Sequence, residues 1–178
     1  MSNIILYIAM SIDGFIARPD GNLDWLHNVP PPQQGDYGYA ALLSRTGTII
    51  MGRKTYEEII GFGIDWPYNN IPTYVVTQQP TLPIVSPDTQ LITHNFPAIL
   101  QQLKEQSEKD IWLVGGGQLV ATCIREKLLD EMIITIIPKI IGNGIPLFPN
   151  NESIEQDWTL VHTQPFHTGV VNLTYKPA

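Results

Sequence analysis

Strands alternate with helices along most of this chain, and two consecutive strands close it. That order predicts an α/β fold with a mostly parallel central sheet and an antiparallel C-terminal edge. Two observations carry the expectation. Short apolar runs rich in β-branched residues recur at Asn3–Met10, Thr48–Met51, Thr73–Thr77, Ile111–Val114 and Met132–Ile137. The last two runs, Trp158–His162 and Val170–Tyr175, have no helical pattern between them.

Asn3–Met10 reads as a buried first strand, and Asp13-Gly14 and Pro19-Asp20-Gly21-Asn22 follow it as turns. Pro30-Pro31-Pro32 stiffens the next loop, and the stretch from Asn22 to Gly38 has the composition of a lid. A helix is expected over Asp36–Ser44, with the acid at its positive end. Thr55-Tyr56-Glu57-Glu58 fits a capping box for the helix after the Thr48–Met51 strand, and Gly61 and Gly63 stop that helix. After the Thr73–Thr77 strand, Leu91–Thr93 is a weaker one. Asn95 is placed to cap a helix whose Phe96, Ile99, Leu100 and Leu103 share one face. Leu119, Val120, Cys123 and Ile124 give the helix after Ile111–Val114 its apolar face. Pro138 ends the Met132–Ile137 strand.

No linker or repeat divides the 178 residues, so one domain spanning 1–178 is expected. The net charge of −7 argues against nucleic acid or an anionic membrane as partner. No apolar run approaches the roughly 20 residues that span a bilayer. Met1-Ser2-Asn3 carries no basic residue, so no signal peptide is expected. One cysteine, Cys123, forms no internal disulfide and points to the cytoplasm. His27, His94, His162 and His167 lack metal spacing, so no metal site is expected. The acidic run from Glu152 to Asp157 reads as solvated surface.

Two strand–helix junctions carry the chemistry. In the first, the Ile111–Val114 strand runs into Gly115-Gly116-Gly117, then Gln118 and Leu119. Free N–H groups at such a helix start suit a phosphate. As a dinucleotide fingerprint it is incomplete, since Val120 stands at the third glycine position. The plainer alternative is a tight turn with close strand–helix packing. The second junction is Met51-Gly52-Arg53-Lys54-Thr55. Two cations at a helix start oppose the dipole unless a polyanion sits there; otherwise they form a solvated basic corner. Asp36, sixteen residues before Gly52 (52 − 36 = 16), is either a proton-handling carboxyl facing an apolar cleft or a plain helix cap.

Ser11-Ile12-Asp13-Gly14-Phe15-Ile16-Ala17, Met51-Gly52-Arg53-Lys54-Thr55-Tyr56 and Val114-Gly115-Gly116-Gly117 together resemble the dihydrofolate reductase superfamily. Leu128-Leu129-Asp130-Glu131-Met132 and the run from Pro138 to Phe148 bring the chain closer to the reductase domain of the bifunctional riboflavin-biosynthesis deaminase-reductase and its stand-alone relatives. No deaminase module or zinc motif is expected. The resemblance implies a three-layer α/β/α fold, an NADPH cofactor and a homodimer. Gly52, Arg53, Lys54 and Thr55 would face the cofactor phosphates, and Thr77 and Gln78 its adenosine side. Val114, Gly115, Gly116, Gly117, Gln118 and Leu119 would hold the pyrophosphate and approach the nicotinamide. Ala9 would meet the carboxamide, and Ile16 would line the same cleft. Asp36 matches the acid that assists proton delivery, and Thr135 the threonine hydrogen-bonded to it.

The implied activity is hydride transfer to a small pterin-, pyrimidine- or carbonyl/imine-type substrate, as in 5-amino-6-(5-phosphoribosylamino)uracil reduction. Dihydrofolate reduction and non-catalytic nucleotide binding are the alternatives. Three departures argue against folate. The loop from Trp25 to Asp36 is longer and proline-rich, Ala40 and Ala41 stand where a bulky aromatic is usual, and no arginine is evident for a glutamate tail. Few lysines or arginines remain for a ribose phosphate either.

Overall fold

The computed structural model describes residues 2–150 and 154–178; of the acidic run, Glu152 lies outside them, and Glu155 and Asp157 are exposed. The strands are β1 (Ile4–Ser11), β2 (Phe15–Ala17), β3 (Thr46–Gly52), β4 (Thr73–Val76), β5 (Thr89–Ile92), β6 (Asp110–Gly115), β7 (Glu131–Ile137), β8 (Ile145–Pro146), β9 (Trp158–Pro165) and β10 (Val171–Pro177). The helices are α1 (Asp24–His27), α2 (Tyr39–Arg45), α3 (Arg53–Gly61), α4 (Phe96–Gln106) and α5 (Gly117–Arg125).

Eight strands form one sheet in the order β5-β4-β3-β6-β1-β7-β10-β9. The first six run parallel; β10 pairs antiparallel with β7 and β9 with β10. This is the mostly parallel sheet with an antiparallel C-terminal edge. A parallel strand must be buried on both faces, and successive side chains point to opposite sides. The sequence does both. Ile4, Leu6, Ile50, Ile111 and Leu113 pack with Phe96 and Leu100 of α4 and Val120 and Cys123 of α5. Their neighbours Ile5, Ile49, Met51 and Trp112 pack with Leu42 of α2 and Tyr56 and Ile59 of α3 on the other face. The result is three layers, α/β/α. Rings extend the second core edge to face: Trp112 meets Tyr7, Tyr39 and Tyr68, and Trp66 meets Tyr56 and Tyr68. Cys123 is fully buried, which pushes its thiol up to about 12 and keeps it unreactive at neutral pH.

Several local expectations give way to the fold. The helix expected from Asp36 begins at Tyr39, because Tyr37 and Gly38 are left-handed (φ 61° and 96°) and cannot continue a right-handed turn. The Thr55 capping box does not form: α3 already starts at Arg53, with an extended Gly52 before it and no side-chain cap. Asn95 precedes α4 as expected, but with left-handed backbone (φ 48°) and no cap from its side chain. A second, two-stranded sheet pairs β2 with β8, and this pairing falls outside the alternating strand–helix pattern. It ties the loop after β1 to the segment after β7. Asp13 reinforces that tie by accepting from the Ile141 and Gly142 amides; desolvation works to raise its carboxyl, but the Ser11 hydroxyl and these amides together hold it below its ordinary value.

Candidate functional site

In a parallel sheet the C-terminal strand ends and the following helix N-termini lie along one rim, where ligands bind. On this rim β3 and β6 are neighbours, and the register pairs Met51 with Gly115. Each strand feeds a helix at once, so the starts of α3 and α5 come side by side. A Cβ on Gly52 would lie 3.6 Å from the Leu119 side chain and 3.8 Å from the Gly115 carbonyl. One on Gly116 would lie 4.0 Å from the Thr55 hydroxyl. The structure thus brings together Gly52, Thr55, Gly115, Gly116 and Leu119, residues from two motifs far apart in the sequence.

Each of the three glycines has its own reason. Gly115 has φ +131°, and the Gly115–Gly116 peptide is cis. Gly117 cannot carry a side chain, because a Cβ there would stand 2.7 Å from the Pro146 carbonyl oxygen and 2.9 Å from that of Leu147. Gly116 alone borders open space towards the other helix. Neither α3 nor α5 has a side-chain N-cap or an acid in its first turn. Their first-turn N–H groups therefore keep donor capacity for an anion. Arg53 stands at the start of α3, and its Nη1 donates to both Glu57 carboxylate oxygens at 2.8 and 2.7 Å. Lys54 beside it is exposed.

Beyond β4 and β5 the rim opens into a cleft of about 460 Å³, lined by Arg53, Thr77, Gln78, His94 and Phe96 among others. Arg53, Thr77 and Gln78 are thereby joined in one cavity. His94 was not foreseen. The clue to it is the parallel pairing of Val76 with Ile92, which puts the residues after both strands at the same height.

On the far side of β6, Ala9 in β1 pairs with Thr135 in β7. Ile16 packs against the same buried cluster as Leu119. Asp36 and Thr135 do not pair as the resemblance implied. Thr135 is buried, and its hydroxyl donates to Asn172 Oδ1 at 2.8 Å. Asp36 is exposed and caps α2, its carboxylate accepting from the Gly38 amide at 3.2 Å and the Ala40 amide at 2.7 Å. The left-handed Tyr37–Gly38 turn swings it out of the apolar core. Asp36 still stands near the phenols of Tyr7 and Tyr39. Burial is the main cause that pushes Tyr7 up to about 12; the Thr135 hydroxyl opposes this, and the Asp36 charge adds to it. Burial also raises Tyr39, with Tyr68 opposing and Asp36 again adding. Both phenols stay protonated at neutral pH.

The profile of the RibD C-terminal domain matches residues 2–172, nearly the whole chain. The chain belongs to the RibD C-terminal domain family. The uncharacterized protein YwjB of Bacillus subtilis (strain 168) is 38% identical over 144 residues, covering 81% of each chain. A crystal structure from Shewanella sp. PV-4, provisionally assigned to riboflavin biosynthesis, is similar with a TM-score of 0.85 and 32% identity over 99% of both chains. Dihydrofolate reductase of Enterococcus faecalis, solved with NADP(H) and RAB-propyl, shares the fold at a TM-score of 0.68 and 20% identity, covering 98% of this chain and 96% of that one. The family therefore carries a dihydrofolate reductase-like fold. Among the described residues, no group of acidic, histidine or cysteine side chains is gathered to hold a metal. No helix among them is long and apolar enough to cross a membrane.

Proposed function

We propose that this protein is an NADPH-dependent reductase acting on a small pyrimidine-, pterin- or carbonyl/imine-type substrate. The observation that carries the reading is the convergence of two uncapped helix N-termini, α3 and α5, at adjacent strand ends. A pyrophosphate matches that donor set, and the cleft beside Arg53, Thr77 and Gln78 suits the adenosine half. NADPH supplies the hydride when bound. The chain's own contribution is to orient the two reactants and exclude water. Asp36, near two protonated phenols, holds or relays the proton that the reduced substrate atom takes up.

Among substrates, a pyrimidine of riboflavin biosynthesis is favoured over folate. The provisional assignment of the Shewanella relative supports this. So do Ala40 and Ala41, which are exposed and offer no aromatic wall for a folate ring. The test is a fluorescence titration with NADPH, followed by its consumption with 5-amino-6-(5-phosphoribosylamino)uracil and with dihydrofolate. Absence of NADPH binding overturns the reading. Binding without consumption on either substrate leaves a nucleotide-binding protein.

The same reading takes the working unit to be a cytoplasmic homodimer. β9 supports the dimer: it is a sheet-edge strand with Leu160 and Val161 half exposed. A groove of about 390 Å³ lined by Ile134, Phe148, Trp158 and Tyr175 adjoins it. Sedimentation at the monomer mass would sink that part. Cell fractionation tests the location, and recovery outside the cytoplasm overturns it.

A further inference from the structure

We propose that Asn172 is a positioning residue whose side chain clamps the turn carrying Asp36. The inference rests on the reading of Asp36 as the proton-handling group. Asn172 sits in β10 opposite Thr135 in β7, and both are buried. Its Nδ2 donates to the Tyr37 carbonyl at 2.6 Å, while its Oδ1 accepts from the Thr135 hydroxyl at 2.8 Å. A carbonyl can only accept, so the Tyr37 oxygen fixes which end of the amide faces it. The amide oxygen then faces Thr135, whose hydroxyl donates to it. Tyr7 donates to the same Tyr37 carbonyl at 3.2 Å, giving it a second donor.

The residue held this way needs holding. Tyr37 has φ 61°, a conformation that side chains rarely adopt and that persists only where its surroundings enforce it. The C-terminal hairpin supplies the rest of the grip. The Phe166 ring meets the Tyr37 ring edge to face at 4.8 Å, and the Thr168 and Tyr37 hydroxyls lie 3.0 Å apart. Asp36 is the next residue back along the chain, and its carboxylate is fixed by the Gly38 and Ala40 amides on the other side of Tyr37. Thr135 therefore acts on the acid through Asn172 and a backbone carbonyl, not by touching it.

The test follows the Gly38 and Ala40 amide resonances by nitrogen–proton NMR as pH is lowered. In the native protein both move together as Asp36 takes up its proton, and Asp36→Asn removes the movement. Asn172→Ala is expected to cut the amplitude at both amides by more than half while NADPH binding stays within twofold. Thr135→Val acts in the same direction, and Thr135→Ser, which keeps the hydroxyl, restores the native titration; this pair serves if Asn172→Ala does not fold. An unchanged Gly38 and Ala40 titration in folded Asn172→Ala or Thr135→Val overturns the clamp. The kinetic reading of Asp36 is judged separately. Normal turnover in Asp36→Asn, with a collapsed titration in Asn172→Ala, keeps the clamp and removes the catalytic role.

Discussion

Gly116 and Gly117 are adjacent, yet alanine at each should fail in opposite ways. At Gly117 the added carbon would meet two backbone carbonyl oxygens, at 2.7 and 2.9 Å, and the Pro149 ring at 3.2 Å. Backbone oxygens cannot rotate away, so α5 and the 146–149 segment must separate by several tenths of an ångström. Overpacking of this kind costs about 1–3 kcal/mol, and the two backbone contacts place this case at the upper end. For a domain of this size, about 2–3 kcal/mol lowers Tm by about 5–10 °C. At Gly116 the nearest atom is the Thr55 hydroxyl at 4.0 Å, and the backbone is extended (φ −59°, ψ 166°), which alanine tolerates. Gly116→Ala should therefore hold native stability to within about 0.5 kcal/mol. Its methyl enters the gap between the two helix starts, so NADPH should bind at least about tenfold more weakly, or about 1.4 kcal/mol. Urea unfolding followed by tryptophan fluorescence reads the first quantity, and NADPH titration the second. A native urea midpoint for Gly117→Ala would refute the interlocking argument. Native NADPH affinity for Gly116→Ala would remove the pyrophosphate from between the helices.

Asp36→Asn keeps an oxygen to cap α2, so turnover should fall with NADPH affinity unchanged; equal turnover at every pH would end its proton role. Arg53→Ala should weaken NADPH more than NADH, measured by paired titrations, and equal losses would mean Arg53 does not read the 2′-phosphate. Glu57→Gln should do the reverse and tighten NADPH by about twofold, since the exposed Arg53–Glu57 pair is worth only about 0.3–0.5 kcal/mol. Tyr7 is expected to shape alkaline unfolding. Its folded pKa is raised to about 12 from the ordinary 10.0. The unfolded phenol therefore loses its proton first, and stability present below pH 10 drains away as pH rises towards 12. Tyr7→Phe should flatten that part of the pH–stability curve by on the order of 2 kcal/mol, and an unchanged slope in urea melts would show that Tyr7 is not responsible.

The sheet was legible in the sequence because burial on both faces imposes a period of two that Ile4-Ile5-Leu6 and Ile111-Trp112-Leu113 display openly. β2 and β8 escaped, since three- and two-residue strands are too short to show any period. The two glycine turns could be found because each sits directly after a strand. Their meeting was not visible from either alone; it follows from β3 and β6 being neighbours, a fact of topology. The acid side was legible in part. Asp36 was found, with both of its roles left open, and the structure shows the cap formed. Thr135 was found but given the wrong partner. Its true partner, Asn172, is set by the antiparallel register of β7 on β10, and a residue 135 positions from Tyr37 carries no local signal of that contact.

That separation has a consequence for how the protein comes into being on the ribosome. The strands around the proposed phosphate-binding corner, β1, β3, β4 and β6, are all made before residue 116, so they can begin to pair while the rest is still being added. The turn bearing Asp36 is made early as well, but its anchor arrives only with β10. A nascent chain stopped short of Asn172 would hold most of that proposed corner beside an acid loop still lacking its clamp.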